Sequence, residues 1–316
     1  MTIQKAPASF AGSLHRYNNR LVAFEHTRTG TAPTNTLLWV GGLGDGLLTV
    51  NYPAVLASAL PPTWSLVEVS TSASLSGWGS TTLARDAHEI AACVAYFQKL
   101  RGGKVVLMGH STGCQDTMEY VTGADSAQRT PLNGAILQAP VSDREACEAG
   151  KTRTDFSSII ETSRQYVKEG RGDDVIPMAL GSSIFGRTPV SAYRWLSLLS
   201  PDHDGDDDFF SSDLSDEQLR ATFGRFPRRT PLLVLCSGSD QHVPKFVDVP
   251  KLVGRWTACV KSGGGVVDEE NSGLVEGATH NLDGDDKVVV ERLCRKVVSF
   301  LTKVESDEFS ASASQL

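Results

Sequence analysis

Hydrophobic positions in this chain fall into two alternating kinds of segment. Residues 36–40 (TLLWV), 65–69 (SLVEV), 105–108 (VVLM), 134–138 (GAILQ) and 231–236 (PLLVLC) are short, nearly continuous apolar runs, the pattern of strands buried on both faces. Between them lie stretches with helical spacing. Residues 53–60 end at Pro61-Pro62, and 80–100 carry Leu83, Ala87, Ile90, Ala91, Val94 and Phe97 on one face,. Residues 285–304 open on acids and place Val289, Leu293, Val297 and Phe300 together,. Residues 12–17 and 21–26 flank Asn18-Asn19 and predict a hairpin, and 273–276 predicts a last short strand,. Strand and helix alternate, which calls for a mostly parallel sheet with helices on both faces. The stretch 141–229 is far longer than a crossover needs. It predicts an inserted helical cap, with helical patterns at 157–168 and 190–199 and a long acidic loop at 201–213. The core is therefore expected over 12–140 and 230–304, and the polar tail 305–316 is expected to be disordered,.

Composition narrows the classes. With 316 residues and 40% hydrophobic content the chain can bury a large core,. A net charge of −7 with no basic cluster speaks against a nucleic-acid partner and against docking on an anionic membrane,. The six cysteines are dispersed with no Cys-x-x-Cys pair, the usage of reduced thiols in an intracellular protein. No apolar signal region opens the sequence, and no run approaches the ~18 residues of a membrane span. Ser314-Gln315-Leu316 echoes a peroxisomal address but lacks its basic middle residue, so a cytoplasmic location is expected,.

The chemistry centres on residues 104–116, KVVLMGHSTGCQD. A buried strand runs into Gly109-His110-Ser111-Thr112-Gly113 and a helix follows without a spacer. This is a nucleophile elbow, in which flanking glycines remove the Cβ atoms that would collide at the turn and the serine hydroxyl stands clear. A serine needs a base, and the base needs an acid to orient it. In such sites the acid and then the histidine follow the serine, each after a strand. Asp240, in SGSDQHVP, and His280, in GATHNL, occupy those places. Asp143 is a rival acid beyond the preceding strand. His242 is a rival base but sits too near Asp240 in sequence. His110 is expected to pack behind the elbow. The oxyanion needs preset donors: the Thr112 amide is one, and the glycine loop 41–46 offers Leu43, with Gly42 as the near alternative. Gly42, Trp78 and the cap's Trp195 are candidates for contacting substrate, although the cap aromatics fit a packed cap core equally well. The stretch 202–208 (DHDGDDD) superficially resembles a calcium loop but lacks the closing Glu, and reads as a solvated acidic loop; no metal and no cofactor are called for,.

The segments GGLGDGLLTV (41–50), SLSGWGSTTLARDAHEI (74–90) and GHSTGCQD (109–116), with SGSDQHVP and GATHNL, resemble a fungal α/β-hydrolase family. That family was long catalogued as a domain of unknown function and includes esterases acting on fusarinine-type siderophores. The resemblance covers roughly 12–140 and 230–300. It implies an α/β-hydrolase fold and an intracellular serine esterase that opens ester links of a hydroxamate siderophore to release iron. It also implies Ser111, Asp240 and His280 as the triad, with a small-molecule ester, such as a ferric siderophore, as partner. The alternatives are a general carboxylesterase or thioesterase, and a ligand-binding receptor that kept the fold without turnover.

Overall fold

The computed structural model describes residues 9–27, 30, 32–149 and 156–311. In chain order the elements are β1 (Gly12–Arg16), β2 (Val22–His26), β3 (Asn35–Val40), α1 (Tyr52–Ala59), β4 (Trp64–Val69), α2 (Leu83–Arg101), β5 (Val105–His110), α3 (Gly113–Thr122) and β6 (Gly134–Gln138). The insertion carries α4 (Asp143–Glu148), α5 (Ser157–Lys168), α6 (Met178–Phe185), α7 (Ala192–Leu199) and α8 (Asp216–Thr222). Then come β7 (Leu232–Ser237), α9 (Val249–Ser262), β8 (Gly273–Val275), α10 (Lys287–Glu305) and α11 (Glu308–Ala311).

The sheet runs β1-β2-β4-β3-β5-β6-β7-β8. The β1–β2 hairpin joins β4 antiparallel at one edge, and every pairing from β4 to β8 is parallel. This is the α/β-hydrolase architecture expected above. The continuous apolar runs are explained by the alternation of side chains along each strand. Leu38, Leu107, Leu137 and Val234 face α2, α3 and α9, where Ile90, Phe97, Met118 and Trp256 cover them. Leu37, Met108, Ile136 and Leu233 face α1 and α10, under Leu56, Val297 and Phe300. The hairpin turn closes on the Asn18 side chain, whose oxygen accepts from the Arg20 and Leu21 amides at 2.8 and 2.7 Å.

The insertion does not behave as one body. Ile159, Ile160, Ile176, Val190, Trp195 and Leu198 form a cluster of their own that takes in Trp78 from the core. The later part instead joins the main core: Phe210 packs on Trp256 with centroids 5.4 Å apart, and Phe223 stacks on the same ring. The acidic stretch is a solvated loop only in part, since Asp202, Asp204 and Asp206 stay exposed. Asp207 and Asp208 turn inward to Arg194 and Arg144, and Asp202 and Asp204 meet Arg164 and Ser200.

The tail also differs from expectation as far as residue 311. Lys104 Nζ donates to the Val304 and Glu305 carbonyls at 2.6 and 3.0 Å and pairs with Asp307 at 2.6 Å. The Phe309 ring then packs on Phe300 at 5.5 Å. Neither partner is visible to local periodicity. Residues 312–316, with the Ser-Gln-Leu terminus, lie outside the described residues.

Removing residues 306–316 should therefore destabilise the protein by about 1–2 kcal/mol, from the lost Phe309 burial. Urea denaturation of the truncated and full chains measures it, and an unchanged midpoint would contradict the docked tail.

Candidate active site

The parallel register brings the carboxyl ends of β5, β7 and β8 to one edge of the sheet, and the loops after them carry Ser111, Asp240 and His280. Ser111 has φ = 53°, in the left-handed region, a conformation a non-glycine residue holds only where packing enforces it,. Its neighbours leave no freedom. A Cβ on Gly109 would lie 2.0 Å from the Gly113 carbonyl oxygen, and one on Gly113 would lie 2.3 Å from that of Val40. The elbow is also tied to β6, since the Ser111 amide donates to the Gln138 carbonyl at 3.0 Å.

His280 Nε2 lies 2.8 Å from Ser111 Oγ, and its Nδ1 lies 2.7 Å from Asp240 Oδ2. With Nδ1–H given to the carboxylate, Nε2 presents a lone pair to the serine hydroxyl. Asp240 Oδ1 accepts the His242 amide at 2.9 Å, so both carboxylate oxygens are engaged, and the side chain is 2% exposed. His280 is anchored through its own amide, which donates to Gln241 Oε1 at 3.1 Å.

The rivals stand elsewhere. Asp143 opens α4 and accepts from Gln115 Nε2 at 2.8 Å. The His242 ring sits edge-on to His280 at 4.7 Å, outside the hydrogen-bonded series. His110 is buried, stacked on Trp39 at 6.0 Å and bonded through Nδ1 to Gln138 Oε1 at 2.6 Å. Gln138 Oε1 also accepts from the Tyr52 hydroxyl at 2.9 Å, and Tyr52 in turn accepts from Trp39 Nε1 at 2.7 Å. Burial, and then the nearby His280, pushes the His110 pKa down to about 4, so the ring stays neutral behind the elbow,. This polar seam was not read from the sequence; only the polar Gln138 closing an apolar strand hinted at it.

On the opposite side of Ser111 stands the glycine loop. A Cβ on Gly42 would come within 2.6 Å of the Ser111 Cβ, so main chain approaches the candidate nucleophile directly. The Gly42 amide is committed to Asp45 Oδ2 at 2.9 Å. The Leu43 and Thr112 amides donate to no other protein group among the described residues. Gly42, Leu43, Thr112 and Trp78 wall a cavity of about 30 Å³ that reaches back from the loop. Trp195 does not line it. That ring is 3% exposed and packs on Phe185 in the cap, 5.0 Å between centroids, and it is a cap core residue. Phe209 and Phe210 likewise belong to the main core.

A family model described as "Protein of unknown function (DUF1749)" matches residues 1–302. The chain belongs to this family. Fusarinine C esterase sidJ of Aspergillus fumigatus is 40% identical, with 92% of this chain and 95% of that protein covered. Esterase AN6793 of Emericella nidulans is 38% identical over 94% of this chain and 93% of its own length. The solved siderophore hydrolase EstB from Aspergillus fumigatus superposes with a TM-score of 0.81 at 40% identity, covering 94% of this chain and 98% of EstB. The family member described here is thus a carboxylic ester hydrolase of the α/β-hydrolase fold. Among its described residues no helix is long and apolar enough to cross a membrane.

Burial and then the Asp207 charge push the Asp143 pKa up to about 7, from the ordinary 3.8. A raised carboxyl contributes stability that is fully present below 3.8 and is lost as pH climbs through 7,. The wild-type urea midpoint, taken relative to that of Asp143→Asn, should therefore fall as pH rises from about 5 to about 7. His110 acts with the opposite sign in this window but is common to both proteins, so the difference isolates Asp143.

Proposed function

We propose that this chain hydrolyses the ester bonds of a hydroxamate siderophore of the fusarinine type, through an acyl-enzyme on Ser111. The observation that carries the reading is the unbroken series Ser111–His280–Asp240, with contacts of 2.8 and 2.7 Å. The relatives named above support the substrate class.

Ser111 Oγ attacks the ester carbonyl as its proton passes to His280 Nε2. Asp240 holds the imidazole in the tautomer that can accept this proton and stabilises the imidazolium that results. The carbonyl oxygen becomes an oxyanion, and the Leu43 and Thr112 amides, not otherwise engaged, are the donors for it. His280 gives its proton to the leaving alkoxide oxygen, leaving an acyl ester on Ser111. Water then attacks that ester with His280 as base, and collapse returns the free hydroxyl and the acid. Cleavage of a ferric siderophore in this way would loosen its hold on iron, which enters as part of the substrate. A cytoplasmic location fits this role, and the reduced-thiol usage supports it,.

The test is purified wild type and Ser111→Ala incubated with ferric fusarinine C, with linear products followed by mass spectrometry. Ring opening by wild type and none by the variant is expected. Asp240→Asn should retain the fold and lose about 10⁴-fold in kcat. Cleavage of p-nitrophenyl acetate without siderophore opening would remove the substrate and keep the hydrolase. Failure on both would favour a ligand-binding homologue.

A further inference from the structure

The six residues after β3, Gly41-Gly42-Leu43-Gly44-Asp45-Gly46, include four glycines. Glycine loses more conformational freedom on folding than any other residue, so such a segment does not hold a shape by itself. An oxyanion donor, however, is effective only when it stands in place before charge develops. Something beyond local backbone preference must therefore fix the Leu43 amide.

Asp45 does this with every hydrogen-bonding group it has. Its amide donates to the Gly42 carbonyl at 3.1 Å, and its Oδ2 accepts the Gly42 amide at 2.9 Å. Gly42 and Asp45 are thus closed on each other in both directions around Leu43 and Gly44. Gly44 has φ = 83° and Leu43 a negative φ, so residues 42–45 form a type II turn with Leu43 in its second place,. The amide at that place takes no part in the turn hydrogen bond. Outward from the turn, Thr49 Oγ1 lies 3.3 Å from Asp45 Oδ1 and accepts the Gly46 amide at 2.9 Å. The Asp45 carbonyl accepts the Leu75 amide at 2.7 Å. Leu75 is itself in the left-handed region, at φ = 62°, and sits on Gly46, where a Cβ would lie 2.8 Å from Leu75 Cδ2. A Cβ on Gly41 would lie 2.6 Å from the Asp45 Cβ, and one on Gly42 would lie 3.1 Å from Ser111 Oγ. The turn that Asp45 closes is therefore pressed against Ser111.

The charge of the side chain separates two roles. A carboxylate beside an oxyanion donor has the wrong sign to stabilise the intermediate. What Asp45 supplies to the reaction is direction: an acceptor for the Gly42 amide that sets how the next peptide is turned.

We infer that Asp45 is the positioning residue of the oxyanion loop, fixing the 42–45 turn against Ser111 so that the Leu43 amide is aimed before the substrate arrives. The effect falls on rate more than on affinity, because the donor is fully used only in the transition state. The inference rests on Ser111 and the Leu43 amide acting as proposed above, and its test separates the two.

The experiment compares the full chain as wild type, Asp45→Ala and Asp45→Asn on p-nitrophenyl acetate at neutral pH. Asp45→Ala loses the acceptor and should lower kcat by about 10²-fold, the scale for a displaced or missing donor. Acylation and deacylation both pass through an oxyanion, so KM should hold within about threefold. Asp45→Asn keeps an oxygen for the Gly42 amide and should stay within about threefold of wild type in kcat. Inhibition by 2,2,2-trifluoroacetophenone, whose adduct on serine carries the oxyanion, should weaken in Asp45→Ala by about the factor lost in kcat/KM. A role confined to stability would shift the urea midpoint and leave the ketone binding as it is. Should Asp45→Ala fail to fold, Thr49→Val, which replaces the hydroxyl beside Asp45 Oδ1 by a methyl group, should lower kcat by about 3- to 10-fold with KM held. Wild-type kcat in Asp45→Ala, or in Thr49→Val if only that protein folds, would overturn the inference and leave the esterase reading intact. Equal losses in Asp45→Ala and Asp45→Asn would assign the effect to charge and overturn it too, as would a kcat loss without weaker ketone binding. No turnover by wild type would remove the Ser111 reading and this inference with it.

Discussion

Ser111 stands at the end of β5 with its backbone in the left-handed region, at φ = 53°. Such a residue costs on the order of 1–3 kcal/mol and persists only where its surroundings over-determine it. Here Gly109 closes on the Gly113 carbonyl, Gly113 on the Val40 carbonyl, and the Ser111 amide on the Gln138 carbonyl. Three neighbouring strands, β3, β5 and β6, thus share in holding one residue. The buried parallel sheet supplies the rigidity, because its strands are covered on both faces and cannot shift separately.

From that point the rest of the site follows by position. The order β5-β6-β7-β8 sets the Asp240 and His280 loops beside the elbow, and His280 spans the gap with one nitrogen to each partner. Behind the elbow His110, Gln138, Tyr52 and Trp39 form a buried hydrogen-bonded seam whose neutral histidine places no extra charge beside Ser111. In front, β3 delivers Gly42 against Ser111, and the Asp45 carboxylate takes the Gly42 amide, while the Leu43 amide has no protein acceptor among the described residues.

The cap meets the core through hydrogen bonds and is pinned internally by an ion pair. Arg194 reaches from α7 to the Trp78 carbonyl and pairs with Asp207, and the Ser191 amide donates to the Gly79 carbonyl at 2.8 Å. A buried ion pair of this kind is weak evidence for stability but strong evidence for geometry, since breaking one partner leaves an uncompensated charge. The same guanidinium lies among Asp86, Asp116, Asp143 and Asp207. Two of these acids, Asp86 and Asp116, line the cavity beside the glycine loop together with the guanidinium-bearing Arg194.

Much of this was legible in the sequence. Continuous apolar runs identify β3, β5, β6 and β7, because a strand covered on both faces has no polar face to alternate with, and helical spacing identifies α2, α5 and α10. The elbow is legible because its glycines answer a collision within a few residues, and strand order along the chain singles out Asp240 and His280. Helix α9 escaped, although Leu252, Val253, Trp256 and Val260 have helical spacing, since Gly254 and the β-branched residues around it weaken the local preference,. What no local pattern could show is what each buried face is buried against. Trp78 and Trp195 share one apolar cluster, yet only Trp78 also lines the cavity. The run DHDGDDD looks solvated until Arg144 and Arg194 arrive from distant segments. Periodicity along the chain encodes that a side chain is inside, while the identity of its partner, and with it the choice between packing, pairing and binding, is set only when remote segments meet.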